Sequence, residues 1–123
     1  MANKTKNILI VDDSPLILER ISQMIRRFGK EWNPLLAGTF SDALDFLQTS
    51  KINAAIFDIH LQENNGIELL RRAIRLHPNL FAIILTNQAN NEVKSICIGI
   101  GAKHFLDKSL EFHRIPQIIS TLN

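Results

Sequence analysis

The chain has 123 residues, 46% of them hydrophobic and 21% charged, which is enough to bury the core of one domain and too little for two. Lys and Arg number 14 and Asp and Glu 12, a formal charge of +2 spread along the chain, which argues against nucleic-acid binding as the main activity. One cysteine excludes an internal disulfide, the start MANKTKN is polar and unlike a signal peptide, and no run approaches the ~20 apolar residues of a membrane span. The expectation is a cytoplasmic protein.

In chain order, the first element is the apolar run Ile8–Val11, short and bounded like a strand buried on both faces. Ser14 before Pro15 then reads as an N-cap with proline at the first helical position, and Ile17, Ile21, Met24, Ile25 and Phe28 form a helical stripe. The lone tryptophan, Trp32, precedes a second strand at Pro34–Ala37, which Ala43, Leu44, Phe46 and Leu47 follow as a second stripe. Ala54–Phe57 is the third strand, with Ile67, Leu70, Ala73 and Ile74 as its helix. Phe81–Leu85 is the fourth, with Asn90 as the cap of a helix carrying Val93, Ile96, Cys97 and Ile100; Ile98 falls outside that stripe, as an exposed apolar contact. Cys97 among isoleucines reads as a buried structural thiol. A short run ending at Leu106 is the fifth strand, and Ile115, Ile118, Ile119 and Leu122 complete the pattern in a helix that Pro116 confines to a start near His113.

Five strands alternating with five helices predict an α/β, doubly wound, flavodoxin-like (βα)5 fold. Its parallel sheet is expected in the order 2-1-3-4-5, as one domain with its core over about residues 7–122 and no output domain. In that order ligands sit at the carboxyl ends of strands one and three, where the strand order reverses. Asp12 and Asp13 follow strand one, Asp58 follows strand three, Thr86 ends strand four, and strand five runs into Lys108. Three carboxylates in one crevice raise one another's pKa unless a cation joins them, and magnesium suits a carboxylate set that keeps waters and meets a phosphate. Lys108 adds a mobile positive charge and Thr86 a hydroxyl donor, the parts that phosphoryl transfer asks for.

Each of these residues also has a bland reading: Asp12, Asp13 and Asp58 as solvated acids, Thr86 as a cap, Lys108 as a surface lysine, Phe105 as core filler. Convergence on one edge weighs against all but the last. Of the 4 histidines, His77, His104 and His113 lack ligand partners at metal-binding spacing and read as surface or strand-end residues; His60 lies at the mouth of the crevice with its side chain toward solvent.

The ordered set ILIVDDSP, IFDIHLQENNG, IILTN and HFLDKS resembles the receiver domains of bacterial response regulators in two-component signalling, including the single-domain chemotaxis type, from Ile8 to the last helix. The resemblance implies Asp58 as phosphoacceptor, Mg2+ held by Asp13, Asp58 and the backbone carbonyl of His60 with Asp12 acting through water, and Lys108 on the phosphoryl group. It also implies Thr86 and Phe105 as a switch pair and Gly66 at a backbone angle costly for other residues. The implied donor is a histidine kinase or phosphotransfer protein. The implied output is a downstream protein, or a second copy of the chain, on the face of helix four, strand five and helix five, with no nucleic acid or membrane involved.

Three positions depart from that pattern. Gln62 replaces a frequent proline, Asn87 a small residue, and Ser109 a proline whose preceding peptide bond is typically cis, so a trans bond fits here. The departures put rates in doubt and leave every reacting group in place. Two other classes compete: a phosphorylation-independent pseudo-receiver, which usually lacks an acid or the lysine, and a haloacid-dehalogenase-type phosphatase. The latter needs a second Asp where His60 stands. The chain therefore reads as a switch with its own phosphorylation and dephosphorylation chemistry and not as a turnover enzyme.

Overall fold

A computed structural model describes residues 6–61, 66–87 and 89–122. Strands β1 (Lys6–Val11), β2 (Trp32–Ala37), β3 (Ala54–Phe57), β4 (Phe81–Thr86) and β5 (His104–Asp107) alternate with helices α1 (Pro15–Phe28), α2 (Phe40–Thr49), α3 (Gly66–Leu76), α4 (Asn91–Ile100) and α5 (Ile115–Ser120). The strands form one sheet in the order β2-β1-β3-β4-β5, every neighbouring pair parallel. This is the expected doubly wound arrangement. Pro34 is tolerated because β2 is an edge strand, where a missing N–H breaks no interior ladder.

Alternate side chains of each strand go to opposite faces, so the buried residues divide into two layers. On one face Ile8, Ile10, Ile56, Ile83 and Leu85 meet Ile21 and Ile25 of α1 and Ile115, Ile118 and Ile119 of α5. On the other, Leu9, Val11, Phe57, Ile84 and Phe105 meet Ala43 and Leu47 of α2, Leu69, Leu70 and Ala73 of α3, and Cys97 of α4. Each fully buried Ile or Leu contributes roughly 1.5–3 kcal/mol through apolar burial, so truncation on either face costs stability directly.

Local signals start and stop the helices. Ser14 Oγ accepts from Ile17 N (3.3 Å), Thr39 Oγ1 from Asp42 N (3.0 Å) and Asn90 Oδ1 from Val93 N (2.9 Å). At Gly101, which closes α4, φ is 139°, a conformation that favours glycine. A 3-10 turn (Phe112–Arg114) leads into α5, leaving Pro116 in the first turn, where its missing N–H costs nothing.

Some expectations need correction. Phe28 and Ile96 belong to expected core stripes, yet they are 54% and 41% exposed. Phe28 is the last residue of α1, and Trp32, which lies within β2 and not before it, fills the end of that layer instead. Leu69 lies outside the expected stripe of the third helix but is fully buried. His77, expected at the surface, is half-buried there, and its Nε2 also donates to the Leu47 carbonyl (2.8 Å), tying the end of α3 to α2.

Candidate functional site

Sheet hydrogen bonding continues one residue past β1 and β3. Asp12 N donates to Ala37 O (3.1 Å) and Asp58 N to Val11 O (2.9 Å), which carries both acids to the carboxyl edge at the reversal of strand order. Asp12 and Asp58 are buried and Asp13 is exposed, and each offers a carboxylate oxygen within 4.8 Å of the other two. From the far side of the crevice, Lys108 Nζ donates to Asp12 Oδ2 (2.8 Å) and Asp58 Oδ2 (2.9 Å). The remaining oxygens are also engaged: Ser14 N donates to Asp12 Oδ1 (2.9 Å) and His60 N to Asp58 Oδ1 (3.0 Å).

Three carboxylates against one ammonium leave the crevice net negative, a setting that suits a hard divalent cation. Burial by itself would lower the pKa of Lys108. Its hydrogen bonds to Asp12 and Asp58 and their negative charge outweigh that and raise it, so the lysine is firmly cationic.

Thr86, fully buried, ends β4 at the same edge, in register with Asp107 of β5. Lys108 N donates to Thr86 O (2.8 Å), tying the lysine to this strand. Phe105 is 9% exposed and lies in the core layer that contains Cys97 and Ala102. Cys97 is buried, and burial raises its thiol pKa, which makes it the inert residue expected. The His60 side chain is exposed. Burial and then Arg114 lower the pKa of His104 at the start of β5; His113 is exposed.

At Gly66 it is a close approach and not a special backbone angle that favours glycine, since among the described residues only Gly101 has positive φ. A Cβ on Gly66 would overlap the Asp58 carbonyl oxygen and lie 2.7 Å from Ile59 Cα, so α3 starts wedged against the backbone of the acid. Gly66 N also donates to Ile59 O (2.6 Å). Gln62 and Asn65 lie outside the described residues. The Lys108–Ser109 peptide is trans, and Ser109 Oγ donates to Asn87 Oδ1 (3.4 Å) across the rim.

Two residues at this edge were not anticipated. Asp107 Oδ1 accepts from Ser109 N (2.8 Å) and Leu110 N (3.0 Å), while Glu111 Oε1 accepts from Asp107 N (2.9 Å). Glu111 also pairs with Arg114 (2.7 Å), and the Asp107 N–H followed by Arg114 hold its carboxyl below the usual glutamate range. The signal was present in the spelling D-K-S-x-E, an acid before Lys108 and another four residues later.

The model of the response regulator receiver domain matches residues 8–120. A sensory transduction protein, LytT of Enterococcus faecalis, is 25% identical over 113 residues, 92% of this chain and 46% of that protein. The chain thus spans about half the length of several curated relatives it matches. Among solved structures, a CheY-like receiver domain protein from Methanospirillum hungatei is 29% identical with a TM-score of 0.83, covering 95% of each chain. A Burkholderia pseudomallei response regulator with a phosphorylated aspartic acid and a calcium ion has a TM-score of 0.82 at 24% identity, over 89% of this chain and 64% of that one. No described helix is long and apolar enough to cross a membrane.

Proposed function

Because the chain belongs to the response regulator receiver domain family, we propose that it is a phosphorylatable switch of a two-component system that takes a phosphoryl group on Asp58. The observation that carries this reading is the cluster of Asp12, Asp13 and Asp58, with Lys108 paired to two of them. Receiver domains are signalling modules that bind a divalent metal in an acidic pocket, and this chain has the acids for it.

In the proposed reaction a carboxylate oxygen of Asp58 attacks the phosphorus of a phosphohistidine on a histidine kinase or phosphotransfer protein. A P–O bond forms, the P–N bond breaks, and the imidazole leaves with its electron pair and takes up a proton. Asp13, Asp58 and the His60 carbonyl, with Asp12 acting through a water, would hold Mg2+, which would supply positive charge to neutralise the phosphoryl oxygens. The Burkholderia structure, with its phosphorylated aspartic acid and calcium ion, supports that site chemistry by analogy. Lys108, already cationic between Asp12 and Asp58, is positioned to pass from the carboxylates to a phosphoryl oxygen. Water attack on the acyl phosphate later returns Asp58 and releases inorganic phosphate.

Output follows from the neighbours of the site. The Thr86 hydroxyl is proposed to move to the new phosphoryl group and Phe105 to follow on β5, shifting an equilibrium between two states of the α4–β5–α5 face. Ile96 and Ile98, 41% and 43% exposed, give that face apolar contacts for a protein partner or a second copy of the chain. We place the protein in the cytoplasm and assign it no nucleic-acid contact.

Incubation with acetyl phosphate and Mg2+ is expected to add one phosphoryl group, visible in the intact mass and absent from Asp58→Asn. No adduct, or an equal adduct in the variant, overturns the assignment.

A further inference from the structure

We propose that Asp107 is a positioning residue for Lys108, the centre of a hydrogen-bonded clasp that fixes the lysine where Ser109 follows it in place of the common proline. The inference rests on the reading of Asp58 as phosphoacceptor and adds a residue to it.

Lys108 carries its charge at the end of a flexible four-carbon stem, and Nζ must still meet two buried carboxylates at 2.8 and 2.9 Å. Fixing its backbone reduces the conformations it must give up to do so. Thr86 O anchors the Lys108 N–H from the sheet side. The chain then turns out of the sheet at residues 108–110, with no regular ladder to hold it. The Asp107 side chain takes over there, its Oδ1 accepting from both Ser109 N (2.8 Å) and Leu110 N (3.0 Å).

The far end of the turn is locked reciprocally. Glu111 N donates to Asp107 O (2.8 Å), and Glu111 Oε1 accepts from Asp107 N (2.9 Å). The pattern is that of a helix capping box with one extra residue between the partners. Arg114 closes it on the outside, 2.7 Å from Glu111 Oε2. Lys108 is thereby held through its own N–H, through residue 107 before it and through residue 109 after it.

Ser109 is part of the device. A proline at that position has no N–H to give to Asp107, so the serine that departs from the family pattern supplies one of the two bonds that Asp107 Oδ1 accepts. The residues Asp107, Lys108, Ser109 and Glu111 thus act as one unit.

The test compares Asp107→Ala with Asp107→Asn, whose amide oxygen still accepts both N–H groups. Displacing a reacting group by ~1 Å costs up to ~100-fold, and a loosened turn is expected to slow Asp58 phosphorylation by acetyl phosphate about tenfold. Asp107→Asn is expected to stay within about twofold of wild type, as the turn geometry survives. The 15N shift of the Lys108 ammonium, read by NMR at one pH, is expected to move in Asp107→Ala and to hold in Asp107→Asn. A folded Asp107→Ala protein with the wild-type rate and shift overturns the inference, and so does equal slowing in both variants, which would trace the effect to charge. If wild type takes no phosphoryl group, the phosphoacceptor reading fails, and the ammonium shift alone decides on the clasp. Should Asp107→Ala not fold, Glu111→Ala, which removes the bond to Asp107 N together with the outer pair to Arg114, supplies the same two readouts: about threefold slowing supports the clasp and a wild-type rate overturns it.

Discussion

Helices α3 and α4 lie on the same face of the sheet and both follow strands that end at the site, but they are attached very differently. In α3, Gly66, Leu69, Leu70 and Ala73 are all buried, and the first of these is wedged against the Asp58 carbonyl. In α4 the only buried residue is Cys97, while Ile96 and Ile98 face outward. One helix is built into the floor of the acidic crevice; the other rests on the core through a single thiol and partly buried neighbours. Motion started at the site therefore costs less at α4 than at α3, since local opening follows the apolar burial that must be given up. An unequal fixing of two neighbouring helices suits the proposed switch, in which Asp58 would stay in place while the α4–β5–α5 face changes.

The largest loss is expected at Leu70. It is fully buried in α3, and Leu70→Ala is expected to destabilise by ~2–5 kcal/mol, the range for truncating a packed leucine. Urea unfolding checks this, and a loss below that of Ile98→Ala would mean that α3 is not the anchored helix. Gly66→Ala comes next. Its Cβ must push the Asp58 backbone aside, an overpacking cost of ~1–3 kcal/mol, and the displaced acid is expected to accept phosphate more slowly. A variant as stable and as fast as wild type, by unfolding and by intact-mass kinetics, would show that the wedge does not hold the site.

The same contrast explains how much was legible in the sequence. Strand runs and helix caps fixed the fold because hydrophobic period and capping act within a few residues. The acids were legible because each stands where an apolar run stops, and the strand order brings those ends together. Ile96 and Phe28 misled because periodicity tells which side of a helix is apolar and not how far the sheet extends beneath it. Gly66 was singled out correctly for the wrong cause: a close approach to Asp58 is a long-range contact that a local rule reads as a backbone angle. The Asp107–Glu111 clasp was missed for the opposite reason, since its hydrogen bonds are local but its acids look like ordinary loop charges.

The smallest expected effect is at Ile98. With its side chain 43% exposed on the one helix of this face that is thinly packed, Ile98→Ser removes little buried surface, so stability is expected to stay within ~0.5 kcal/mol of wild type. The switch is proposed to be driven from Thr86 and Phe105 beneath α4, so the variant should still respond to beryllofluoride with Mg2+. Amide exchange is the measurement: protection should change over α4, β5 and α5 in both wild type and Ile98→Ser, and stay constant over α3. What the variant should lose is contact with whatever binds that face, because an exposed isoleucine contributes to binding by being covered there and not by holding α4 to the sheet. Loss of the beryllofluoride response in a folded Ile98→Ser protein would place Ile98 inside the switch, and a changed protection pattern over α3 would show that the anchored helix moves as well.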